Sequence, residues 1–192
     1  MYDIKGEGER MSQPKIKLVE NNKKKGKTYR NLIAKYNDAM TSGFYGEAEL
    51  IVYAFMEDRL RSFLYYFGAL KSNNRRYINE DMVELYGKSV KVDKISTKID
   101  IIESLFKACN DKSINNDFTC DARKIIKYAI NPGEVKRTLR QIKKWCEYRN
   151  EVVHGLFNKD LNDLRMGFEE HVNEGYLLAR QVDRYVEMIK KV

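Results

Sequence analysis

The chain has 192 residues, 43% hydrophobic and 33% charged, with 36 Lys and Arg against 28 Asp and Glu and a net charge of +8. That length suits one domain whose core needs no metal or disulfide staple, and three widely spaced cysteines, Cys109, Cys120 and Cys146, argue against a disulfide framework or a CxxC zinc or redox site. The longest apolar run, Leu50 to Met56, is too short to span a bilayer and the N-terminus is polar, so a soluble cytoplasmic protein with no membrane contact is expected.

Residues 1–27 are polar, Gly- and Lys-rich and aperiodic, which predicts a flexible basic arm ahead of a helical domain over 28–192. A short helix is expected from Thr28 to Met40. The next, from Tyr45 to Phe67, places Leu50, Tyr53, Leu60, Leu64 and Phe67 on one face at 100° per residue, with Gly68 as its cap. Residues 71–92 are polar with a weak helix from Asn79 to Tyr86 stopped by Gly87. A clearer helix runs from Ile95 to Cys109, with Ile99, Ile102, Leu105 and Phe106 facing inward, and another from Cys120 to Ala129. Asn131-Pro132-Gly133-Glu134 is a helix start: Asn caps, Pro takes the first position and Glu can reach back. That helix should reach His154, with Gly155 bending or ending it, and Asp160 can cap a last helix. With no repeat and no strand alternation, the fold class is all-α, a helical bundle with a connected pair at the C-terminus.

Positive charge is unevenly placed. Residues 1–30 hold nine Lys and Arg against four acids, and residues 123–149 hold nine against Glu134 and Glu147, whereas residues 150–192 hold six against eight. An anionic polymer would be drawn to the arm and to the helix that precedes His154, where Arg140, Lys143 and Lys144 are candidate RNA contacts. A solvated basic surface is the competing reading of the arm.

Arg149-Asn150-Glu151-Val152-Val153-His154 puts a cation, an amide and one of two histidines within a turn and a half. With Val135 as zero on the wheel, Leu139, Ile142, Cys146 and Val153 form an apolar stripe, widened by Trp145, Val152 and Leu156. Arg149 falls inside it at about 320°, and His154 lies at its edge at about 100°. On the Tyr45–Phe67 helix Glu57 interrupts the apolar face in the same way, while Asp58 points a quarter-turn away beside Arg61. Two stripes broken by opposite charges predict that Glu57 meets Arg149, either as a buried pair that only fixes helix register or as a clamp that aims Arg149 at a phosphate. His171, among Glu169, Glu170 and Glu174, reads as a surface residue. Trp145 reads as a core anchor, the thirteen tyrosines as core and interface, and none of the cysteines as a nucleophile.

Arg149-Asn150-xxx-His154 resembles the Arg-x(4-6)-His signature of HEPN domains, in which a polar residue often follows the arginine and the motif sits late in a helical bundle. The resemblance implies an up-and-down bundle of the HEPN type with additional helices. It also implies a metal-independent endoribonuclease needing no cofactor, with Arg149 and His154 catalytic and Asn150 supporting. It implies a homodimer whose two motifs line one cleft, and attack of the ribose 2′-OH to leave a 2′,3′-cyclic phosphate, as in toxin and antiviral effectors. One histidine per motif is short of an acid and base pair, and a two-fold dimer supplies the second. Leu156 stands where some toxin members silenced by a nucleotidyltransferase antitoxin carry Tyr, so an antitoxin or other regulatory partner is left open. A catalytically weak RNA- or nucleotide-binding module of this fold, and a helical dimerisation protein, are the competing readings.

Overall fold

The computed structural model describes the backbone of residues 22–155 and 161–192, and the side chains of 26–152 and 167–192. Seven helices cover most of it: α1 (Asn22–Thr41), α2 (Tyr45–Tyr66), α3 (Glu80–Tyr86), α4 (Ile95–Asn110), α5 (Asp117–Ala129), α6 (Pro132–Gly155) and α7 (Leu161–Ile189). No strand forms among the described residues. Two single bridges, Leu70 to Ile78 and Tyr77 to Lys91, pin the connection between α2 and α4.

The caps follow the sequence. Asn131 Oδ1 accepts from the Gly133 N–H at 2.9 Å and Pro132 opens α6, while Asn79 accepts from Met82 N–H and starts α3, which Gly87 stops in a left-handed conformation at φ +82°. Two starts fall earlier than expected. α1 takes in the lysines after Asn22, since Lys is a good helix former, and α5 starts at Asp117 because Asn116 and Thr119 close a reciprocal capping box. The expected arm falls largely outside the described residues, as do Leu156 and Asp160.

Helix directions can be read from cross-helix contacts. Tyr45–Glu169 (2.7 Å), Glu49–His171 (3.4 Å) and Arg59–Asp183 (2.9 Å) advance together, so α2 and α7 run parallel. Trp145 Nε1 donates to the His171 carbonyl at 2.9 Å, while Thr138 Oγ1 lies 3.1 Å from the Tyr185 hydroxyl, so α6 runs antiparallel to α7. Tyr29 meets Asp58, and Tyr36 bonds Asn173 at 2.8 Å, which sets α1 antiparallel to both α2 and α7. The directions of α1, α2, α6 and α7 therefore alternate, and α4 lies along α2 through Lys98–Glu57 and Phe106–Phe63.

α2 is the central helix, and this corrects its expected face. Val52, Met56, Leu60, Phe63 and Leu64 are buried, each worth roughly 1.5–3 kcal/mol of apolar transfer, whereas Leu50 is 63% exposed. Because α1, α4 and α7 pack on α2 and α6 reaches it through Arg149 over Tyr53, its buried arc is wide. Its centre lies about 80° from the stripe drawn through Leu50. That rotation moves Glu57 to the edge of the buried arc and brings Glu49 and Arg59 into it. The expected inner face of α4, with Ile99, Ile102, Leu105 and Phe106, is buried, as are Val135, Leu139, Ile142, Trp145 and Val152 of α6.

Candidate functional site

Arg149 lies on α6 where that helix passes α2, half-buried, its guanidinium carbon 4.5 Å from the centre of the Tyr53 ring. Its Nε is buried without a hydrogen-bond partner, and no ion pair reaches it from any described residue. Cys146, one turn earlier, is pushed up to about 11 from its ordinary 9.0 by burial, with Arg149 opposing and Glu147 adding. The Tyr53 hydroxyl is also raised, by burial first, then Cys146 and Glu57, against the pull of Arg149. A cation thus faces a ring and a neutral thiol, with no described carboxylate paired to it.

The expected ion pair between Glu57 and Arg149 does not form. Glu57 takes Arg61 at 2.5 Å, one turn along α2, and Lys98 of α4 at 3.3 Å. Lys98 is fully buried and also donates to the Asp93 carbonyl at 3.0 Å; burial lowers its pKa, against the opposing pull of Glu57. The carboxylate is therefore held one turn beyond Tyr53 by two other cations. Lys98 was detectable in the sequence: with Ile99 at zero on the α4 wheel it falls at about 260°, between Leu105 and Ile102.

Asn150 is exposed beside Arg149. The backbone of His154 lies in α6, about 7.5 Å further along the axis, and its side chain lies outside the described residues. Among the candidate RNA contacts, Arg140 and Lys144 are exposed, but Lys143 is half-buried and held by Asp100 at 3.2 Å and Glu103 at 3.0 Å of α4. It therefore serves the α4–α6 contact. No group of three or more His, Cys, Asp or Glu side chains that could hold a metal occurs among the described residues.

His171, expected at the surface, is 6% exposed. Its ring stacks on Trp145 at 5.1 Å and packs on Tyr148 at 4.6 Å, and Nε2 faces Glu49 Oε1 at 3.4 Å. The acidic residue inside the true buried arc of α2 is thus Glu49, and its counterpart is on α7. This pair buttresses the stretch of α6 that carries Tyr148 and Arg149. The expected anchor role of Trp145 is borne out.

No known family, curated protein or solved structure matches this chain. No described helix is long and apolar enough to cross a membrane.

Proposed function

We propose that the chain is a metal-independent endoribonuclease, acting as a homodimer through Arg149 and His154 in the manner of HEPN domains, and that it serves as a toxin or defence effector. The observation that carries this reading is the guanidinium of Arg149, which has no ion pair among the described residues. A part-buried arginine ordinarily takes a carboxylate, and here Glu57, one turn along α2 from Tyr53, is bound to Arg61 and Lys98 instead. A guanidinium left over an aromatic ring keeps its fork of donors for an incoming anion, and a phosphodiester fits that fork bidentately.

The chemistry follows from the groups. The ribose 2′-OH attacks the adjacent phosphorus, His154 takes its proton, and Arg149 stabilises the charge that builds on the phosphorane oxygens. The P–O5′ bond then breaks to leave a 2′,3′-cyclic phosphate and a 5′-OH, the leaving oxygen taking its proton from the second His154 of the dimer. His154 is five positions beyond Arg149, so the two lie about 140° apart around α6. A cleft closed by a second copy lets one strand meet both. Asn150, exposed between them, is a supporting contact, and Arg140 and Lys144 extend a basic path along the same helix.

The test is incubation of purified protein with RNA and with the all-deoxy strand of the same sequence, in EDTA, with the product ends identified. Cleavage of RNA alone to cyclic-phosphate ends supports the reading. RNA bound but uncut assigns a binding module instead, and cleavage of both strands rules out 2′-OH attack.

A further inference from the structure

A cavity of about 610 Å³ lies across α2 from Tyr53 and Arg149, between the start of α1, the second half of α2 and the end of α7. That volume falls within the roughly 300–1,000 Å³ typical of small-molecule sites. Its base is built around Arg59, which is 7% exposed. Arg59 bonds Asp58 at 2.6 Å, Asp183 at 2.9 Å and the Tyr29 hydroxyl, with its guanidinium over the Tyr29 ring. Burial opposes its charge, yet Asp58, Tyr29 and Asp183 together raise its pKa, so it remains a fixed cation.

Among the described residues the lining carries five cations against three carboxylates, and the pairing shows which of these cations are spare. Asp58 and Asp183 are held by Arg59, and Glu187 is held by Lys190 at 2.5 Å. Arg180 reaches only the already shared Asp183, at 3.6 Å, and Arg75 has no ion pair among the described residues. Arg61 bonds Glu57 through one terminal nitrogen, while its Nε is buried without a partner. Positive charge therefore exceeds what the lining itself neutralises. Aromatic surface lies beside it: Arg75 stacks 3.7 Å above Tyr65, and Tyr66, partly exposed, meets Tyr65 edge to face at 5.2 Å.

We propose that this cavity binds a nucleoside di- or triphosphate, with Arg75 and Arg180 on the phosphates and the base against the Tyr65 and Tyr66 rings. Guanidinium forks select phosphate oxygens, and a tyrosine corner rewards a planar ring over a bare anion. The site stands on residues other than Arg149 and His154, so it holds or fails independently of the nuclease reading.

The experiment is titration calorimetry of the full chain with ATP, with GTP and with inorganic tripolyphosphate, each repeated with a short single-stranded RNA. Saturable one-to-one binding of a nucleotide, with tripolyphosphate weaker by about tenfold or more, is expected. Arg75→Ala and Tyr66→Ala should each weaken nucleotide binding about tenfold at unchanged melting temperature, while Arg149→Ala leaves it unaltered. The proposal is overturned by no nucleotide binding up to millimolar concentration, by tripolyphosphate binding as tightly as either nucleotide, by RNA binding alone, or by nucleotide binding that Arg149→Ala abolishes and Arg75→Ala does not.

Discussion

Gly175→Ala should destabilise the fold, although helix propensity alone gives the opposite sign. Gly175 lies within α7, where replacing Gly by Ala normally gains about 1 kcal/mol. Here a Cβ would sit 2.5 Å from Nε1 and 2.6 Å from Cζ2 of Trp145, and closer still to Cε2. Relief to ordinary contact at about 3.5 Å needs a shift of about 1 Å. The indole cannot move cheaply, because it is 2% exposed and Nε1 is bonded to the His171 carbonyl at 2.9 Å. Overpacking of roughly 1–3 kcal/mol plus about 1 kcal/mol for a weakened hydrogen bond, less the propensity gain, leaves a net loss of about 1–3 kcal/mol. Urea unfolding followed by far-UV circular dichroism reads this directly. In Trp145→Leu as background, the steric part of the loss should vanish. A stabilised Gly175→Ala, or an equal loss in both backgrounds, would refute the packing of α6 on α7 described above.

Lys98→Ala should cost roughly 3 kcal/mol, because it opens a hole at a fully buried position of α4. Lys98→Met, which keeps the volume and leaves Glu57 with Arg61, should stay within about 1 kcal/mol of wild type, and equal losses in the two variants would contradict the packing role. Cys146, raised from 9.0 to about 11 by burial, ionises in the unfolded chain before it does so in the folded one. The folded state then binds more protons between pH 9 and 11, so stability falls with rising pH across that window. The stability difference between wild type and Cys146→Ala should shrink from pH 9 to pH 11, and a flat difference would place the thiol in solvent.

The all-helical class, the α4 and α6 stripes, the stop at Gly87 and the cap at Asn131 were legible because periodicity and capping are local. The error on α2 has a physical cause. A central helix is buried on a wide arc, and a stripe started from the apolar Leu50 chose the wrong edge of it. With Leu60 at zero, Val52, Met56 and Phe63 centre the arc near 300°, and Glu49 and Arg59 then stand out as the misplaced charges at about 340° and 260°. His171 was hidden by its own helix, where acidic neighbours suggested solvent while its ring turned toward Trp145. Arg149 was legible as a cation in an apolar stripe. The failure of Glu57 to meet it was not, since sequence spacing cannot show that Lys98 and Arg61 have already taken Glu57.

The central claim is that Arg149 is kept unpaired in order to hold a phosphate, and single-turnover cleavage of RNA by wild type, Arg149→Met and His154→Ala tests it most directly when each is paired with an unfolding curve. Removing a guanidinium that makes no ion pair among the described residues should change stability by no more than about 1 kcal/mol while cleavage falls by about two orders of magnitude or more in both variants. Full cleavage by Arg149→Met, or a loss of cleavage matched by a collapse in stability, would contradict it.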